Sequence, residues 1–83
     1  MVRVLYFAGL REVLGSAGED ITLAPGVTDI AALRRQLAAR GEPWQALART
    51  PNLRAALNQT MVDESALLRD GDEIAFFPPV TGG

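Results

Sequence analysis

Two short apolar runs, one near each end of the chain, predict the central strands of a sheet. Residues 2–8 read Val-Arg-Val-Leu-Tyr-Phe-Ala, and residues 73–77 read Glu-Ile-Ala-Phe-Phe. Both runs are rich in the β-branched and aromatic residues that strands favour. Strongly apolar strands are typical of the middle of a sheet, so we expect the first and last strands to lie centrally.

Weaker patterns predict the remaining strands and two short helical segments. Residues 20–23 alternate between polar and apolar, and the turn Pro25-Gly26 follows them. Residues 53–57 and 60–62 flank Asn58-Gln59, which predicts two strands joined by a tight turn. Short helical segments are expected at residues 10–14 and 44–49.

One longer helix is predicted between the second and third strands. Ile30, Leu33 and Leu37 fall at positions i, i+3 and i+7, which makes one apolar stripe. Thr28 is the expected N-cap, because its hydroxyl can accept a hydrogen bond from an unpaired amide. Gly41 is expected to end the helix in a left-handed conformation.

The resulting order, β-β-α, a short helix, then β-β-β, is typical of an α+β layer. A helix packed across such a sheet is the ubiquitin-like β-grasp arrangement, with a mixed sheet of four to five strands. We expect a single domain over residues 1–77 and an extended, flexible tail over residues 78–83. The predicted core consists of Val4, Tyr6, Ile21, Leu23, Ile30, Leu33, Leu37, Leu57, Val62 and Ile74.

Composition narrows the possible functions. The 83 residues include no Cys, no His and no Lys, and all eight basic residues are Arg. This excludes thiolate and imidazole metal sites, a Cys nucleophile, a His base and a Lys Schiff base. The net charge of −2 argues against a nucleic-acid partner. No run of about 20 apolar residues predicts a membrane span, so a cytoplasmic protein is expected.

The other polar side chains offer little chemistry. Ser16 and Ser65 have no His base, and seven of the ten acidic residues form three groups, at residues 19–20, 63–64 and 70–73. We interpret these groups as solvated turns, and no metal site is expected. The chain is therefore not expected to be an enzyme on its own.

The C-terminal segment carries a different kind of chemistry. After Phe77 the chain reads Pro-Pro-Val-Thr-Gly-Gly. Proline has no amide donor, so the sheet ladder should end at Phe77. Gly82-Gly83 places no side chain near the terminal carboxylate, which can therefore enter a narrow channel in another protein. A carboxylate can attack a nucleotide α-phosphate, and sulfur can then attack the acyl-adenylate.

These residues resemble a known family. The segments 4–8, 11–12 and 57–59, and above all the fourteen residues Asp-Gly-Asp-Glu-Ile-Ala-Phe-Phe-Pro-Pro-Val-Thr-Gly-Gly at 70–83, are similar to the small subunits of molybdopterin synthase. The resemblance runs along essentially the whole chain, although residues 38–53 are generic.

The resemblance implies a sulfur carrier of β-grasp fold that is not catalytic by itself. An activating enzyme uses ATP to adenylate the terminal glycine. A sulfurtransferase or cysteine desulfurase then supplies the sulfur of a thiocarboxylate, so the covalent states are a glycyl adenylate and 1-thioglycine. The carrier binds the large catalytic subunit, in an assembly of two large and two small subunits. There it donates sulfur to cyclic pyranopterin monophosphate, which becomes molybdopterin.

The resemblance also assigns roles to individual residues. Gly83 carries the sulfur, and Val80, Thr81 and Gly82 enter the active site of the partner. The apolar docking patch is expected to consist of Phe76, Phe77, Pro78 and Pro79. Because neighbouring strand residues point to opposite faces, one of the two Phe rings should point away from the core.

Two alternatives stay open on the sequence alone. One is a related sulfur carrier for thiamin synthesis or tRNA thiolation. The other is a ubiquitin-like modifier or adaptor that is joined to lysines of other proteins, or simply binds them.

Overall fold

A computed structural model describes residues 1–79 of the chain. Its elements are, in order, β1 (Val2–Tyr6), α1 (Ala8–Leu14), β2 (Gly18–Ile21), α2 (Ile30–Ala38), α3 (Ala46–Arg49), β3 (Arg54–Leu57), β4 (Thr60–Val62) and β5 (Glu73–Phe77). None of the helices within residues 1–79 is long and apolar enough to cross a membrane.

The five strands form one mixed sheet in the order β2-β1-β5-β3-β4. β1 pairs in parallel with β5, whereas the β1–β2, β3–β4 and β3–β5 pairs are antiparallel. The first and last strands are therefore both central, as the two apolar runs predict. This topology, with helices packed across one face of the sheet, is the predicted β-grasp fold.

The core lies between the sheet and the helices. Residues with even numbers in β1 and β5, such as Val4 and Ile74, are fully buried against Leu33 and Leu37 of α2. Leu23, Leu57 and Val62 pack against the core but remain half-buried. The sequence prediction omitted buried residues outside its clearest patterns, namely Val2, Leu10, Leu14, Leu47, Ala55, Leu68 and Phe76.

The start of α2 corrects the predicted cap. Asp29, and not Thr28, is the N-cap, and its carboxylate accepts a hydrogen bond from the Ala32 amide at 2.8 Å. The amides of Ile30 and Ala31 donate to the carbonyls of Ala66 and Glu64, so the β4–β5 connection caps the same helix end. Gly41, with φ of +89°, follows the end of the helix.

Arg34 ties three segments together on the helical side. Its Nε donates to the Leu47 carbonyl at 2.5 Å and another nitrogen donates to the Thr50 carbonyl at 2.9 Å. It also pairs with Glu64 in the β4–β5 connection. The side chain is only 18% exposed, so these partners hold α2, α3 and the connection as one unit.

Candidate functional site

The base of the C-terminal tail leaves the sheet from its central strand. β5 ends at Phe77, as predicted, and Pro78 and Pro79 follow it. Along β5 buried and half-buried residues alternate, so Phe76 and Phe77 point to opposite faces. The tail therefore starts at the boundary between the core and the uncovered face of the sheet.

The two Phe rings have different environments. Phe76 is 1% exposed and belongs to the core, whereas Phe77 is half-buried and lies on the uncovered face. The prediction that Phe76 contributes to an exposed docking patch is therefore wrong, because its ring packs beneath the helices. Phe77, Pro78 and Pro79 remain available at the surface.

The uncovered face of the sheet is apolar around its centre. Strand register places Leu5 beside Ala75, Ala75 beside Ala56, and Ala56 beside Met61, so these residues share one face. Phe7, Phe77 and Pro78 border them, and the surface encloses an open groove of about 510 Å³. We call Leu5, Phe7, Ala56, Met61, Ala75, Phe77 and Pro78 the apolar face.

Small residues give the apolar face its hollow shape. Ala56, Ala75 and Phe7 line the groove, and Phe7 is 45% exposed. Met61, which is 54% exposed, lies next to Ala56 on the same face. The Phe7 amide donates to the Phe76 carbonyl at 3.2 Å, which holds the backbone of Phe7 next to β5. Exposed aromatic and thioether side chains around a hollow are typical of protein interaction surfaces.

Sequence reasoning missed most of the apolar face. Only Phe77 and Pro78 were predicted as docking residues, while Leu5, Phe7, Ala56, Met61 and Ala75 were not. The available signal was that β1 and β5 are apolar at consecutive positions, because a strand with one solvated face alternates instead. The apolar odd-numbered residues Leu5, Ala75 and Phe77 therefore lie on the face opposite the helices.

A second, more polar groove of about 410 Å³ lies beside Pro79. Its lining includes Arg54, Asp63 and Glu64. The Ser65 hydroxyl and amide donate to Asp63 and lower the pKa of that carboxyl. Glu64 is paired with Arg34. Both acids therefore have partners within the fold.

A polar cluster on the other side of the sheet serves the structure of the domain. Arg40 donates two hydrogen bonds of 2.9 Å to Glu19 and lies 4.7 Å from the centre of the Trp44 ring. Burial, followed by the charge of Glu19, raises the pKa of the Tyr6 phenol. A phenol of raised pKa is a poor base at neutral pH, so this cluster offers no evident catalytic group.

The described residues show no built catalytic or metal centre. Within residues 1–79 no three acidic side chains are arranged to hold a metal ion. The Ser16 hydroxyl lies at a turn and accepts a hydrogen bond from the Gly18 amide at 3.2 Å. Ser65 donates to Asp63. Both serines are part of local turns.

The remaining predicted tail residues are Val80, Thr81, Gly82 and Gly83. They lie outside the residues that the structure describes. The structure describes the chain as far as Pro79, and Pro78 borders the apolar face.

Comparison with known proteins matches nearly the whole chain to one family. Residues 4–83 match the model of the ThiS family. The chain is 43% identical to the molybdopterin synthase sulfur carrier subunit of Escherichia coli and 41% identical to that of Haemophilus influenzae. Both alignments cover all 83 residues of this chain and all of the relative.

Solved structures agree with the fold. A molybdopterin converting factor subunit 1 of Pyrococcus furiosus superposes with a TM-score of 0.78 and 27% identity, covering 95% of this chain and 97% of that one. In Helicobacter pylori, subunit 1 of the molybdopterin-converting factor was solved in complex with subunit 2. This chain matches that structure with a TM-score of 0.68 and 28% identity, over 99% of this chain and 97% of that one.

Proposed function

The chain belongs to the ThiS family, and on that basis we propose that it is the sulfur-carrying small subunit of a molybdopterin synthase. The observation that carries this proposal is the full-length similarity to sulfur carrier subunits, at more than 40% identity, in a chain whose residues 82 and 83 are both glycine. In this proposal the partner binds the domain of residues 1–77, and residues 78–83 are the tail that carries the sulfur.

The reacting group in this proposal is the terminal carboxylate of Gly83. A carboxylate oxygen attacks the α-phosphate of ATP in an activating enzyme, and pyrophosphate leaves. The outer sulfur of a persulfide on a sulfurtransferase or cysteine desulfurase then attacks the acyl carbon, and AMP leaves. A thiol attacks the other sulfur of the resulting acyl disulfide and forms a new disulfide with it, which releases the thiocarboxylate. The resulting 1-thioglycine supplies sulfur to cyclic pyranopterin monophosphate. The absence of Cys, His and Lys supports this scheme, since it requires no reactive side chain on the carrier.

The apolar face is the proposed contact with the large subunit. It presents Phe7, Phe77 and Pro78 around a hollow of small residues, next to the point where the tail leaves β5. A partner that covers this face receives Val80, Thr81 and Gly82 and brings Gly83 into its own active site. Aromatic anchors in a desolvated centre typically supply most of the binding energy of such interfaces.

The large subunit supplies the catalytic residues, so the carrier alone is not an enzyme. The complex of subunits 1 and 2 in Helicobacter pylori supports a partner of this kind. We extend the proposal to an assembly of two large and two small subunits in the cytoplasm. The carrier itself holds no cofactor, and ATP is bound by the activating enzyme.

Intact-mass measurement tests the chemistry directly. The full chain is incubated with the activating enzyme, ATP and a sulfur donor. We expect a mass gain equal to the replacement of one oxygen by sulfur, located at Gly83 by fragmentation. A chain that gains no mass under conditions that charge the Escherichia coli carrier would contradict the proposal.

Complementation tests the pathway. Expression of the chain in a strain that lacks the small subunit should restore molybdopterin formation. Charging without complementation would instead indicate a carrier for another thiolation pathway. Lysine-linked conjugates that survive denaturation and require Gly83, in the absence of complementation, would indicate a protein modifier.

A further inference from the structure

The sheet surface that carries the apolar face has opposite charges at its two ends. Arg54 is the register partner of Phe77, so it lies at the end where the tail begins. At the opposite end Arg3 is the register partner of both Asp20 and Glu73. Register partners in neighbouring strands point to the same side of a sheet, which places all four charged residues around the apolar face.

Each of these ends has a charged strand residue without an ion-pair partner within residues 1–79. Arg3 pairs with Asp20 at 3.2 Å, so the negative charge of Glu73 remains beside them. Near Arg54, Glu64 pairs with Arg34, whereas Asp63 accepts hydrogen bonds from Ser65 and keeps its negative charge. Arg54 is exposed and forms no ion pair with another residue in the range 1–79. Within residues 1–79 the surface therefore presents an arginine without an ion-pair partner at the tail end, and a glutamate without one, Glu73, at the far end.

The two charges are far enough apart to act separately. Glu73 and Phe77 are the first and last residues of β5, and Arg54 lies opposite Phe77. At a rise of about 3.3 Å per residue, the two ends are roughly 13 Å apart along the strand. This exceeds the Debye length of about 8 Å at physiological ionic strength, so we expect each charge to attract its own counterpart.

We infer that Arg54 and Glu73 orient the large subunit on the apolar face. This inference rests on the proposed function. The partner surface carries an acidic group that meets Arg54 beside the entrance for the tail. It carries a basic group that meets Glu73 at the far end. Apolar burial is non-directional and favours contact in any rotation. The two charges favour the one rotation that aligns the tail with its channel.

The test measures association between the full chain and the purified large subunit of the same organism. Stopped-flow association rates are recorded at low and high salt for wild type, Arg54→Glu, Glu73→Arg and the double variant. Arg35→Glu is the matched control, because Arg35 is exposed on α2, on the helical side of the sheet. Thermal melting checks that each variant is folded.

At low salt we expect each single reversal to slow association by about tenfold, and the double variant by roughly the product of the two. The control should associate at the wild-type rate. High salt should bring all rates closer together. Arg54→Gln and Glu73→Gln, which remove only the charge, should show smaller losses of the same sign.

The result separates this inference from the proposed function. Wild-type binding with unchanged rates in both reversals would overturn the orienting role and leave the sulfur-carrier function intact. An equal loss in Arg35→Glu would also overturn it, because net charge alone would then explain the effect. Failure of the wild-type chain to bind would overturn both.

Discussion

Gly18 lies directly opposite Leu5 across the β1–β2 pair, in a contact that leaves no room for a side chain on Gly18. A Cβ at this position would be 2.7 Å from the Val4 carbonyl oxygen and 2.8 Å from Leu5 Cδ2. Because the first neighbour is backbone, a side chain at residue 18 requires a shift of the strands. The glycine thus permits the close approach of β2 to β1 at Leu5, a residue of the apolar face.

Gly18→Ala should therefore destabilise the domain by about 1–3 kcal/mol, as overpacking of a fitted contact does. Gly9→Ala is the matched control, because nothing lies within 4 Å of a Cβ at residue 9, which is part of α1. Alanine there should be neutral or stabilising by up to about 1 kcal/mol. Urea unfolding of both variants measures the difference, and equal stabilities would contradict the steric argument.

Phe76 and Phe77 should separate stability from partner binding. Phe76→Ala removes a fully buried ring and should cost about 3–5 kcal/mol of unfolding free energy. Phe77→Ala should cost much less stability, but should weaken binding to the large subunit by at least about 2 kcal/mol if Phe77 is an anchor. Chemical denaturation measures the change in unfolding free energy, and titration calorimetry measures the change in binding free energy. Equal effects of the two variants on binding would exclude Phe77 as an anchor.

Arg34 should contribute to stability far more than its neighbour Arg35. Arg34→Ala removes hydrogen bonds to the carbonyls of Leu47 and Thr50 and the pair with Glu64, and should cost about 2–3 kcal/mol. Arg35→Ala changes an exposed side chain and should stay within about 0.5 kcal/mol of wild type. Thermal unfolding of the two variants at neutral pH tests this contrast.

Acid should weaken the fold partly through Asp72. Hydrogen bonds from the Asn58 side chain and the Arg69 amide lower the pKa of Asp72 in the folded state. Its contribution is therefore fully present above the unfolded pKa of about 4 and is lost as the pH falls through the lower folded value. Asp72→Asn should be less stable than wild type at pH 7, and the gap should narrow in acid. A gap independent of pH would contradict the linkage.

Changes at Gly83 should abolish sulfur transfer without affecting the fold. Deleting Gly83, or adding one residue after it, changes the reacting carboxylate but no contact among residues 1–79. We expect loss of the mass gain and of complementation, with a melting temperature close to that of wild type. A large fall in melting temperature would show that the tail contributes to the core.

The parts of the fold that the sequence predicts well are those with a local cause. The stripe of Ile30, Leu33 and Leu37 identifies α2, and the apolar runs identify β1 and β5 as central strands. Asn58-Gln59 marks the β3–β4 turn, and both residues have the positive φ values that such tight turns require. In each case a few adjacent residues carry the whole signal.

The predictions are wrong where contacts between residues far apart in the sequence determine the strand bounds or the burial of a side chain. The second strand was expected at residues 20–23 but spans Gly18–Ile21, where Gly18 lies opposite Leu5 in a contact that a side chain would block. Phe76 was assigned to the surface, although its face of β5 is covered by helices far along the chain. The apolar face combines residues from four strands, and no local pattern brings Leu5, Ala56 and Met61 together.

The place of β5 in the sheet also determines how the domain responds to force. β5 lies between β1 and β3 and is hydrogen-bonded on both sides, and the tail continues from its end. A pull on the tail along the strand loads both ladders in shear, so many hydrogen bonds must break together. An edge strand such as β4 would peel away one bond at a time. The carrier therefore has a mechanically resistant attachment at the point where a partner would draw on its tail.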